Sequence, residues 1–128
     1  MGKEKLHQID ERAKYEEVTF WIRRAIEAFY RVSRNVPNVM EEISKRIYGR
    51  FDRAQEYVFH ATSGTFSKEE KLLFLHKAHE CLFYQQTSFM TLIDGHGCTV
   101  GQANEVIDLV VEAYRQTDKL YNAIMAKE

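Results

Sequence analysis

With 128 residues, 45% of them hydrophobic and 29% charged, the chain has apolar material for one core, is too short for two comfortable domains, and lacks the composition of a disordered protein. A single proline and six glycines leave too little turn chemistry for the many short strands of an all-β fold, so helices are expected. The net charge of −1 excludes a uniformly basic nucleic-acid binder but not a local basic patch.

The opening segment is charged and no apolar region follows it, so it does not read as a signal peptide. No stretch approaches the ~20 uninterrupted apolar residues of a membrane span. A cytoplasmic protein is expected, with no membrane partner, and Cys81 and Cys98 are then thiols in a reducing compartment.

The first helix is expected over residues 12–34, where Val18, Ile22, Ala25, Phe29, Val32 and Val36 recur at the spacing of one helical face. Pro37 lacks an N–H and pushes its predecessor out of the α region, which makes a tight turn there. The second helix, 38–62, carries Met40, Ile43, Ile47, Phe51, Ala54, Val58 and Ala61 on its apolar face and stops at Thr62-Ser63-Gly64. Ser67 with Glu70 three residues on is a capping-box signature opening a third helix, 68–94, whose apolar face combines Leu72, Leu75, Leu82, Phe83, Phe89, Met90 and Ile93.

Asp94-Gly95-His96-Gly97 ends that helix, with glycines expected to take positive φ. Thr99 with Gln102 repeats the capping pattern before a fourth helix, 100–125, which buries Ala103, Val106, Val110, Ala113, Leu120 and Ile124 with Thr117 the one polar residue in the stripe. Connections this short cannot carry the chain back along a helix. The expected fold is therefore all-α: one domain, 1–128, forming an antiparallel up-down-up-down four-helix bundle.

Bundles of this size often hold di-iron sites, which need Glu-x-x-His on two helices. The residues three before His60, His76, His79 and His96 are Tyr57, Leu73, His76 and Ile93, so none of these histidines supplies that motif. His76 and His79 lie three apart and in principle offer two imidazoles to one metal, but without a visible carboxylate or thiolate partner they read as structural, and no metal or cofactor is expected. Arg53 and His60 form an Arg-x6-His pair that resembles the motif of HEPN-type RNases, a cation and a general acid/base for metal-free phosphodiester cleavage. Ala54 follows the arginine where that motif has a polar residue, and the bland reading is a surface arginine and a helix-terminal histidine. No phosphate loop or nucleophile elbow is present, so no enzyme is expected.

Charge is unevenly placed: residues 20–53 hold eight Lys/Arg against four acids, +4 in a chain of net −1. On a helical wheel of the second helix Arg46, Arg50, Arg53 and Tyr57 share one edge beside the core stripe, an arrangement suited to phosphates or an acidic protein surface. Arg24 and Arg31 on the first helix extend this candidate surface. Tyr48, Gln55 and Phe59 share another edge, and Phe20 points outward beside Arg24 and Arg31; Phe20, Tyr48 and Phe59 are expected at an oligomer interface.

From Tyr15 to Ile124 the chain resembles the bacterial four-helix-bundle superfamily that includes the 23S rRNA intervening-sequence protein and the accessory variability determinant, Avd, of diversity-generating retroelements. The resemblance rests on the Val36-Pro37 turn and on the Ile47…Arg53-Ala54…Ala61-Thr62-Ser63-Gly64 helix. It also rests on Ser67-Lys68-Glu69-Glu70…Phe74-Leu75…Ala78…Leu82 and on the Gly-His-Gly turn before Thr99…Gln102. What the Avd resemblance implies is a pentameric homo-oligomer whose basic surface binds a reverse transcriptase and its template RNA, with catalysis left to the polymerase. The intervening-sequence branch implies the same bundle with no settled activity. The net charge of −1 departs from the strongly basic Avd pattern, and His60-Ala61-Thr62-Ser63-Gly64 departs from the Asn-…-Glu-Gly turn of the other branch.

Overall fold

A computed structural model describes residues 2–127, with side chains described from Glu11 onward; the side chains of the charged opening segment lie outside the described residues. The order is α1 (Gly2–Ser33), a 3-10 turn (Asn38–Met40), α2 (Glu41–Ala61), α3 (Lys68–Asp94) and α4 (Val100–Met125), with no strand among the described residues. The four helices form a bundle in which α1 packs most closely on α4 and α2 on α3, with α3 on α4 and α1 on α2 completing the circuit.

Two boundaries differ from expectation by three residues or more, and α1 and α2 each end one residue early. Helix α1 begins at Gly2 because no Gly or Pro interrupts Lys3 to Ala13, so helix formers carry it well before its apolar periodicity starts. Helix α2 begins at Glu41, three residues late, because the chain leaves Pro37 through a 3-10 turn closed by Met40 N–H donating to the Pro37 carbonyl at 2.9 Å.

The caps explain the other boundaries. Thr99 and Gln102 form the full reciprocal box, with backbone-to-side-chain distances of 2.9 and 3.0 Å. Ser67 Oγ accepts from the Glu70 amide at 3.2 Å, but the Glu70 carboxylate accepts a hydrogen bond from the Ser67 hydroxyl and does not return to the Ser67 amide. In the α3–α4 turn the expectation for the glycines fails: the left-handed residue is His96, at φ 61°, and neither Gly95 nor Gly97 has positive φ. Those glycines answer to close approach, since a Cβ on Gly95 would stand 2.5 Å from Met40 Cε and one on Gly97 2.9 Å from Met40 Sδ. Met40, from the turn between α1 and α2, thus plugs into the α3–α4 turn.

The expected stripes of α1, α2 and α4 are buried apart from Val36, Met40 and Ile43, which are half-buried. Phe29 reaches across the core to Phe89, edge to face with ring centroids 5.3 Å apart. Helix α3 needs correction. Phe83 is 56% and Met90 64% exposed, and the core positions between Leu75, Leu82, Phe89 and Leu92 are taken by Ala78, Gln85 and Ser88. Gln85 has no exposure and donates from Nε2 to the Ile47 carbonyl at 2.8 Å, so a polar side chain bridges α2 and α3 inside the core.

Candidate RNA and partner interface

Elements, not sequence order, decide which candidate residues meet. Val18, Ile22, Ala25 and Phe29 turn inward on α1, so the opposite face is left to Arg12, Glu16, Phe20, Arg23, Arg24, Glu27 and Arg31. These side chains, with Leu109 of α4 at one margin, line a shallow groove of about 810 Å³. Phe20 is half exposed and meets Trp21 edge to face at 5.2 Å, while the Arg24 guanidinium lies 5.6 Å from the Phe20 ring and 5.7 Å from Trp21. The cation is thereby held over an aromatic pair.

On α2 the basic edge turns toward α3. Arg50, Arg53 and Tyr57 line a second groove, of about 300 Å³, with Lys77, Glu80, Cys81 and Tyr84. Arg46 is exposed beyond it, and no residue lines both grooves. The candidate residues thus line two grooves with different side chains. Arg50 is partly committed: its Nη1 donates to the Tyr84 carbonyl at 3.1 Å and to the Ser88 hydroxyl. Tyr57 is half-buried, stacked on Phe74 with centroids 6.3 Å apart and with Lys77 Nζ 5.8 Å from its ring, so it is less open to a base than the wheel suggests.

The expected oligomer residues divide. Phe20 and Phe59 are half or more exposed. Tyr48 is half-buried and turned to α1, its ring 5.0 Å from Phe29 and its hydroxyl 2.8 Å from Ser33 Oγ. The wheel set it apart from the core stripe, and α1 covers much of it. Sequence reasoning missed Arg12 and Arg23 on α1 and Lys77 and Tyr84 on α3. Lys77, Cys81 and Tyr84 stand at i, i+4 and i+7, a helical stripe that was legible had Phe83 not been assigned to the core.

His60 sits among Phe59, Phe66 and Phe74, with centroids 5.3 to 6.0 Å away, and does not line the groove that Arg53 lines. His76 and His79 do not converge on one point: His76 Nε2 is 3.0 Å from Glu80 Oε1, while His79 Nε2 is 2.8 Å from Asp118 Oδ1 on α4, its ring 4.4 Å from that of Tyr114. Burial holds the His79 pKa below the ordinary 6.5, with His76 adding to the effect and Asp118 opposing it. Glu4 and His7 are the one pair with Glu-x-x-His spacing, a single copy outside the described side chains. No group of three or more metal-ligating side chains clusters among the described residues, and no described helix is long and apolar enough to cross a membrane.

Burial raises the pKa of both thiols, at Cys81 against the opposing pull of the nearby Arg53 and Arg50 charges. Neither cysteine has the lowered pKa of an activated nucleophile. Comparison with protein-family models, with curated proteins and with solved structures finds no match to this chain.

Proposed function

We propose that this chain is a non-enzymatic accessory protein, an up-down-up-down antiparallel bundle that binds RNA and a protein partner through its basic grooves. Antiparallel packing of α2 on α3 is supported by the pairs Ile47 with Gln85, Arg50 with Tyr84 and Tyr57 with Phe74, which run down one helix as they run up the other. The observation that carries the functional reading is the outward face of α1, where Arg23, Arg24 and Arg31 share a groove with a half-exposed Phe20, Arg12 there being paired with Glu16 at 3.2 Å. Guanidinium groups around an aromatic suit backbone phosphates together with unpaired bases, and the site needs neither metal nor nucleophile.

The resemblance to Avd gives this reading its biological form: a cytoplasmic homo-oligomer, five copies by that resemblance, that holds a reverse transcriptase and its template RNA. Phe59 remains the candidate aromatic at the contacts between copies, Phe20 being given to the RNA face. The test is incubation of the purified protein with single-stranded RNA, with native mass measured in parallel. Intact, bound RNA and a mass that is a multiple of 15.1 kDa support the reading. RNA cleavage without metal that His60→Ala abolishes would replace it with an RNase, and a monodisperse monomer at micromolar concentration would remove the oligomer.

A further inference from the structure

The groove between α2 and α3 has a chemistry distinct from the broad face of α1, and resting on the RNA-binding reading we propose that it is a nucleotide subsite: Arg53 and Lys77 hold one phosphate, and the ring of Tyr84 receives one unpaired base. Its volume of about 300 Å³ stands at the lower end of ligand clefts, ~300–1,000 Å³, and fits a nucleotide-sized ligand better than a duplex. Three cations face one acid in its lining, and that acid, Glu80, has its carboxylate 3.0 Å from His76 outside the groove. Both aromatics of the lining are tyrosines, and Tyr84 is half exposed.

The parts are arranged in order along the seam. Arg50 ties the two helices at the Tyr84 carbonyl and the Ser88 hydroxyl, which fixes the wall beside Tyr84. Arg53 follows three residues on, about 4.5 Å along the axis, and Lys77 lies across from it on α3. Tyr57 is covered by Phe74 and Lys77, so it closes the far end and does not stack. Paired bases inside a duplex offer no free ring to Tyr84, so the subsite selects an unpaired nucleotide, either within a single strand or free in solution.

The groove also contains its own reporter, because Cys81 lines it and Cys98 lies elsewhere, beside His96 and Thr99. The experiment measures alkylation of each cysteine by peptide mapping at alkaline pH, alone, with a single-stranded oligoadenylate, and with adenosine monophosphate. In parallel, oligoadenylate affinity is measured for wild type, Tyr84→Ala and Lys77→Gln. Cys81 is expected to be protected at least severalfold and Cys98 not at all, and each variant to bind about tenfold more weakly with unchanged helical circular dichroism. Protection by both ligands identifies a site for free nucleotides as well, and protection by the oligonucleotide alone assigns it to a strand. Binding of the oligonucleotide with no protection of Cys81 overturns the subsite and leaves the α1 face as the RNA surface. Protection by the monophosphate without oligonucleotide binding keeps the subsite and overturns the RNA reading, and absence of both overturns both.

Discussion

Arg50 crosses from α2 to α3 and donates through one nitrogen to the carbonyl of Tyr84 and the hydroxyl of Ser88, whereas Arg53, one turn on, is exposed. Two arginines on one edge therefore do different work. Arg50→Gln is expected to destabilise the fold by about 1–2 kcal/mol through lost charge-assisted hydrogen bonds, and Arg53→Gln by less than about 0.5 kcal/mol. Urea denaturation of both variants checks this, and equal losses would put Arg50 among the binding residues.

The contact of Met40 with the α3–α4 turn makes a sharper prediction. A methyl at position 97 would stand 2.9 Å from Met40 Sδ, 3.1 Å from Leu92 Cδ2 and 3.3 Å from the Leu92 carbonyl. Gly97→Ala should cost about 1–3 kcal/mol, while Gly64→Ala, with nothing within 4 Å, should be nearly neutral. His96→Gly should stabilise by roughly 0.5–1 kcal/mol by relieving the left-handed residue. Thermal denaturation of the three variants orders them, and a neutral Gly97→Ala would show that Met40 does not seat there.

How much of this was legible before the structure depends on the neighbour each residue faces. The stripes of α2 and α4 were readable because those helices segregate apolar from polar residues, and that of α1 because its aliphatic residues keep to one face while aromatics such as Phe20 and Tyr30 stand on the other. Helix α3 is apolar on both faces, so periodicity could not tell Phe83 and Met90, which are exposed, from Leu82 and Phe89, which are buried. Likewise the wheel of α2 correctly separated the Arg46-Arg50-Arg53-Tyr57 edge from the Tyr48-Phe59 edge. It could not say that α3 stands beside the first, adding Lys77 and Tyr84, or that α1 covers much of Tyr48. Turn geometry failed for a related reason: Gly95 and Gly97 signal positive φ by themselves, and the approach of Met40 from another turn is a tertiary fact.

His79 makes stability depend on pH. Its pKa is lowered in the folded chain, so the unfolded chain takes up the proton first as pH falls. The contribution is complete above the unfolded value near 6.5 and is lost as pH falls below it, until the folded pKa is passed. The urea midpoint should drop between pH 7.5 and 5, and His79→Gln should make that segment of the curve shallower. A steeper curve in the variant would reverse the assignment.

Burial raises the pKa of both Cys81 and Cys98. Reaction with a disulfide reagent at pH 7.5 should be slower in the native protein than in denaturant for both residues, because the reactive thiolate is scarce and screened. A native rate for either thiol above the denatured one would indicate an activated cysteine.

If the arginines on the outward face of α1 bind the RNA backbone, the slope of log affinity against log salt reads their contribution. Single strands contribute about 0.7 of a unit per neutralised phosphate. Replacing Arg23, Arg24 and Arg31 together by glutamine should therefore flatten the slope by about 2 units while the helical circular dichroism stays unchanged. A triple variant with the wild-type slope and affinity would show that these arginines do not bind RNA.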